Sequence, residues 1–268
     1  MDLGLRDGAA VVAGGSRGMG RAVAECLAAE GCRVAILGRT ASDLETAAAS
    51  LRSRGAPDVL ALQTDLRDAG QVQAAFQAVE HRWGDLNALV CAAGPESAGT
   101  VEELSDDDWV TAFDAGVLST VRCVRAALPL LRKASFARIV TLAATSTRHQ
   151  NPRLVAFTAA KAALVSVSKN LARSLAPEGI IVNCICPGWV LTPTIESYLR
   201  DEAARAGLPA DDLDAAYRAG AQRFGSGNDL GRVGKPEEIG AMVACLCSPL
   251  TGFTVGATIP VDGGTDFI

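Results

Sequence analysis

No apolar run in this sequence reaches the roughly 18 residues that a membrane-crossing helix needs, and residues 1–8 are short and mixed, not a charged cap before an apolar stretch. A cytoplasmic protein without a membrane partner is therefore expected. Basic charge is in short supply too: 25 Lys and Arg against 30 Asp and Glu leave a formal net charge of -5, and the cations are scattered. A phosphate backbone would find no positive stripe to follow, so nucleic acid is not expected as a partner. Histidine is scarcer still. With only His81 and His149, and with Cys184-x-Cys186 and Cys245-x-Cys247 lacking the two-residue spacer of a metal pair, no metal site is expected. Most of the cysteines (Cys26, Cys91, Cys123, Cys184, Cys186, Cys245) fall in apolar runs, where a free thiol behaves as a small hydrophobe. Internal repeats and low-complexity linkers are also missing.

What the sequence does have is apolar material, 49% over 268 residues, enough to bury the core of one α/β domain spanning 1–268. Short β-branched or apolar runs alternate with segments of helical period, the pattern of βαβ units around a parallel sheet. The spacing predicts seven strands, at 9–13, 33–37, 59–63, 86–91, 138–143, 180–186 and 258–261. This is a doubly wound, Rossmann-type arrangement. Between the first two strands, residues 20–30 put Ala22, Val23, Cys26 and Leu27 on one face, and Gly31 follows where a left-handed residue ends a helix at little cost. Ser105 and the acids Asp106 to Asp108 read as a helix start, with a hydroxyl capping free amides, in preference to a metal site.

Directly after the first strand comes Gly14-Gly-Ser16-Arg17-Gly18-Met19-Gly20. Glycines at 14, 18 and 20 let a turn take positive φ and let backbone amides at a helix N-terminus approach a pyrophosphate. This G-x-x-x-G-x-G spacing resembles that of the short-chain dehydrogenase/reductase family, and the resemblance runs over nearly the whole chain. Asp65 and Leu66 follow the third strand, where the family contacts adenine. Cys91-Ala92-Ala93-Gly94 stands where the family has Asn-Asn-Ala-Gly, and Lys161 lies on the helix that carries its Tyr-x-x-x-Lys. Pro187, Gly188, Val190 and Thr192 match the segment that orients a nicotinamide, and Val261-Asp-Gly-Gly264 matches the C-terminal signature. The resemblance implies a nicotinamide dinucleotide and a small-molecule substrate. It also implies a homodimer or homotetramer paired through segments 106–131 and 152–176, and a substrate lid over 193–231. NADP(H) is expected from charge: Gly38 and Arg39 end the second strand where NAD-selective members keep a carboxylate. Arg17 adds a second guanidinium with no competing acid in view.

The family's proton machinery is thinned out. Phe157 stands four residues before Lys161 where the tyrosine belongs, Ala144 at the serine position and Gly116 at the asparagine position. Phenylalanine has no ionisable proton and alanine no donor, which closes the usual general-acid route. Other candidate donors are His149, the hydroxyls of Thr145, Ser146 and Thr147, and the chain's only tyrosines, Tyr198 and Tyr217. Three readings stay open at this point: an oxidoreductase working on a mostly apolar carbonyl, alcohol or enone; a non-redox enzyme performing isomerisation, elimination or cyclisation; and a non-catalytic dinucleotide binder.

Overall fold

A run such as Ala9-Ala-Val-Val-Ala13 has no polar face, and such a strand is stable only when covered on both sides. The computed structural model, which describes residues 2–95 and 97–265, meets that need. Strands β1 (Ala9–Ala13), β2 (Arg33–Gly38), β3 (Val59–Gln63), β4 (Ala88–Cys91), β5 (Ala137–Leu142), β6 (Ile180–Pro187) and β7 (Thr258–Val261) form one sheet in the order β3-β2-β1-β4-β5-β6-β7. Each pairing is parallel. Alternate β1 side chains serve opposite layers. Ala10 and Val12 join the core beneath α1 (Gly18–Ala29), α2 (Ala41–Ser53) and α9 (Pro236–Cys247). Ala9, Val11 and Ala13 face α3 (Ala69–Trp83), α5 (Ser119–Leu131) and α6 (Val155–Leu175). The strand order reverses between β1 and β4, which leaves a crevice beyond the carboxyl ends of those strands, where ligands bind in sheets of this kind.

Two further helices, α7 (Pro193–Ala206) and α8 (Leu213–Phe224), follow β6 and carry a small core of their own. Leu199, Ala203, Ala216, Tyr217 and Ala221 are buried together there, with Trp189 stacked edge-on to Tyr198 and Tyr217. Glu202 on α7, only 3% exposed, takes ion pairs from Arg205 and from Arg223 of α8, the latter at 3.0 Å.

Several expected boundaries shift for local reasons. The strand expected at 86–91 starts at Ala88, because Leu86 donates its amide to Leu130 of α5 and not to a neighbouring strand. The strand at 138–143 sits one residue earlier, since the ladder to β6 begins at Ala137. β2 and β6 each run one residue further than expected, to Gly38 and Pro187, which pair with Gln63 and Val261. The expected helix at 20–30 begins inside the glycine turn, at Gly18. Segment 106–131 is not one regular helix. It divides into α4 (Asp106–Phe113) and α5, joined by the wider π turn Asp114–Leu118. There the Ser119 hydroxyl donates back to the Ala115 carbonyl at 2.6 Å, and Gly116 packs so closely that a Cβ would lie 3.0 Å from the Cβ of Ala160 on α6. The helix expected at 152–176 starts at Val155, because Leu154 bridges to Gly99. Cys245, expected in the core, is exposed on the outer face of α9. The Ser105 cap forms as expected, its hydroxyl accepting from the Asp108 amide while Asp108 bonds back to the Ser105 amide at 2.9 Å.

Candidate functional site

The turn from β1 to α1 is built by what its glycines leave out. Gly14 has φ +84°, and a side chain on it would begin 2.8 Å from the Ala93 amide nitrogen; on Gly20 it would begin 2.1 Å from the Gly14 carbonyl oxygen. The first amides of α1 therefore stand open. The residue before α1, Arg17, makes no side-chain cap and the first turn carries no acid, whereas α3, α4, α7 and α8 are capped by Asp68, Ser105, Thr192 and Asp212. An uncapped N-terminus with unpaired N–H groups and the positive end of the helix dipole is a place for an anion.

This turn forms one wall of a cleft of about 550 Å³. Of the residues expected from sequence, the cleft brings together Gly14, Ser16 to Gly20, Gly38, Arg39, Asp65, Leu66, Ala92 to Gly94 and Thr192. Thr40, Thr64, Arg67 and Ser97 line it as well and were not anticipated, although each follows a strand's carboxyl end, which was a usable signal. Val190 does not reach the cleft: it is 3% exposed, packed in the core with Ile239, and bridged to Gly234. Pro187 and Gly188 stand instead beside the C-terminal segment, with the Gly188 amide donating to Val261 at 3.1 Å.

The charge pattern at the cleft's outer end differs from the expectation in one respect. Arg17 is not without a competing acid, for its Nε lies 3.9 Å from the Asp43 carboxylate in the first turn of α2. The sequence hid this pair because α1 and α2 meet only in the fold. Asp65 is engaged by the Arg67 guanidinium at 2.7 Å, which with a lesser pull from Arg39 holds the carboxyl down at about 2. The α2 N-terminus, like that of α1, has no side-chain cap, although Thr40 stands at its head.

Behind the inner wall lies Lys161, 4% exposed on α6, its Nζ donating to the Leu142 carbonyl at 2.7 Å. Burial pulls the ammonium down to about 8, against a weak opposing influence from the thiols of Cys184, Cys186 and Cys91. A Cβ on Gly94 would sit 2.9 Å from this Nζ, so the amine meets the cleft only through the space of a missing side chain. The Phe157 ring centre is 5.8 Å from the same nitrogen. Ala144 opens the short turn Thr145–Thr147 after β5, against which α6 packs.

The alternative donors are placed elsewhere. The Tyr217 hydroxyl, buried between α7 and α8, accepts from the Asn228 amide at 2.9 Å, and the Tyr198 hydroxyl accepts from Arg223 at 3.1 Å. His149 is exposed, with its backbone amide on the Thr145 carbonyl at 3.0 Å.

Residues 13–266 match the family model described as enoyl-(acyl carrier protein) reductase. The chain is 32% identical to the short-chain reductase protein NovJ of Streptomyces niveus, over 97% of this chain and 94% of that one. Among solved structures it superposes on the L-sorbose reductase of Gluconobacter frateurii, crystallised with NADPH and L-sorbose. That match has a TM-score of 0.92, 30% identity, and coverage of 99% and 98% of the two chains. It also superposes on an NADPH-bound short chain oxidoreductase of Pseudomonas aeruginosa described as containing an atypical catalytic center, at TM-score 0.88, 32% identity and coverage of 98% and 99%.

Proposed function

Since the chain belongs to the short-chain dehydrogenase/reductase family, we propose that it is an NADP(H)-dependent oxidoreductase acting on a small, mostly apolar carbonyl, alcohol or enone. The observation that carries this reading is the uncapped N-terminus of α1 over the turn from Gly14 to Gly20, a cradle that a single Cβ would fill. Three relatives of similar fold were crystallised with NADPH. NADPH supplies a hydride when bound.

The chain's residues supply the rest. Amides of Gly18 to Gly20 would hold the pyrophosphate, and Arg39, Arg17 and Thr40 would receive the 2′-phosphate. Asp65 and Leu66 would border the adenine, Ala92 and Ala93 floor the cleft, and Thr192 would meet the nicotinamide end, with Pro187, Gly188 and Val190 holding that segment from behind the cleft wall. Phe157, Ala144 and Gly116 stand for the family's tyrosine, serine and asparagine; the first two differ from those residues only by a hydroxyl, and the third lacks the whole carboxamide side chain. Lys161 then becomes the proton-bearing group we assign to the site, its Nζ lying behind Gly94 on the cleft wall. Segment 193–231 covers the substrate as a lid. Association of copies through α4, α5 and α6 would cover the exposed side chains of Val110, Phe113 and Leu118.

Titration with NADPH and NADH tests the cofactor, and NADPH consumption against a panel of ketones and enones tests the reaction. Tighter binding of NADPH and turnover above the protein-free rate are expected; binding of neither nucleotide would sink the proposal. Phe157→Tyr combined with Ala144→Ser is the companion variant. Turnover confined to that variant would mean that the natural chain has given up the chemistry.

A further inference from the structure

A site stripped of its phenol and serine hydroxyl still needs something to hold a ligand's oxygen. The turn after β5 carries three consecutive hydroxyls, and the fold treats them unequally. Thr145 Oγ1 donates to the Pro187 carbonyl at 3.2 Å and Thr147 Oγ1 to the Ala144 carbonyl at 2.9 Å. The backbone of the turn is fixed as well, with Thr147, Arg148 and His149 donating their amides to Ala144, Thr145 and Thr145. Between them Ser146 Oγ is buried and makes no hydrogen bond. A buried hydroxyl left unmade is destabilising, and native proteins rarely tolerate one without a use for it.

We propose that Ser146 donates its O–H to the oxygen of the carbonyl or alcohol substrate, taking over two residues downstream the grip that Ala144 lacks. The inference rests on the oxidoreductase reading above and deepens it. The turn stands at the carboxyl end of β5 beside α6, whose Lys161 is anchored on Leu142, the last residue of that same strand. Four other buried hydroxyls among the described residues lack partners, and none fits the role as well: Ser226 follows α8, and Thr258 opens β7 at the amino end of the sheet, away from the crevice. Ser97 lines the nucleotide cleft. Thr158 follows Phe157 directly on α6, which turns it about 100° away from the line of Phe157 and Lys161. In Ser146 the donor is held by a rigid turn and is free of competing partners, the condition under which a hydrogen bond discriminates between ground and transition states.

The experiment compares wild type, Ser146→Ala and Ser146→Thr in two measurements. In steady-state reduction of a ketone that the panel identifies, Ser146→Ala is expected to lose about 100- to 1000-fold in kcat/KM, mostly in kcat. NADPH affinity should stay unchanged, and Ser146→Thr should recover part of the rate. In thermal melting without ligand, Ser146→Ala is expected to melt at or above the wild-type temperature, because it sheds an unmade hydrogen bond. Retention of the wild-type rate by Ser146→Ala overturns the proposal. So does a melting point lower by more than about 2 °C, which would reveal that the hydroxyl already has a partner in the free protein. Absence of turnover in the wild type would count against the oxidoreductase reading itself, and the melting comparison would still decide whether Ser146 is open.

Discussion

Gly38 leaves room for its neighbour: a side chain there would begin 2.8 Å from Ser16 Oγ and would push the serine hydroxyl aside. Arg39, next along, has no such constraint and is exposed. Arg39→Glu is therefore expected to fold normally, to weaken NADPH binding by about 10- to 100-fold through loss of a charge-assisted bond and repulsion of the phosphate, and to leave NADH binding nearly unaltered. Fluorescence titration with both nucleotides checks it. Lys161 supports a pH prediction. Its ammonium, lowered by burial to about 8 from the ordinary 10.5, must be protonated to give up a proton, so reduction should fall as pH rises through about 8. The stability sign is the reverse of the catalytic one. Between about 8 and 10.5 the unfolded chain holds a proton that the folded chain has released, so stability rises with pH over that window. Denaturation curves at both ends should show a rise attributable to this group, and Lys161→Met should lack it. The spacing that identified Lys161 and the glycines was legible because it depends on chain neighbours alone. The Arg17–Asp43 pair and the burial of Val190 were not, since each joins segments that meet only after folding.

Among the elements, β4 and α4 show how differently strands and helices hold this fold. Leu89, fully buried at the centre of β4, packs among the α3 and α5 side chains. Leu89→Ala should cost about 2–5 kcal/mol, read from urea unfolding, because the packed layers cannot collapse into the gap. Ser105 caps α4 at the surface, and Ser105→Ala should cost about 1 kcal/mol, since one amide loses its partner and water replaces it. The identity of β1, β2, β4, β5 and β6 was plain from sequence, because runs buried on both faces leave no polar alternation to misread. The π turn was not. A helical period survives one widened turn, and the close packing of Gly116 against Ala160 that accompanies it is tertiary.

At the scale of the whole molecule, a ligand that binds only the folded chain should raise its melting point. NADPH at 100 times its dissociation constant adds about 2.7 kcal/mol, or several degrees for a chain of this size, and a melting scan against NADPH concentration should show a logarithmic rise. The parallel, doubly wound sheet of seven strands followed from the βαβ alternation, whereas the reversal of strand order between β1 and β4 and the fate of the segment after β6 did not. Segment 193–231 was expected as a lid from the resemblance alone, with no hint that α7 and α8 would pack around Tyr217 and Trp189 and be clasped by Glu202 and Arg223. That self-sufficiency has an evolutionary corollary. A helical pair whose apolar side is filled largely from within can vary along its outward residues while the sheet and the glycine turn beside it keep their packing.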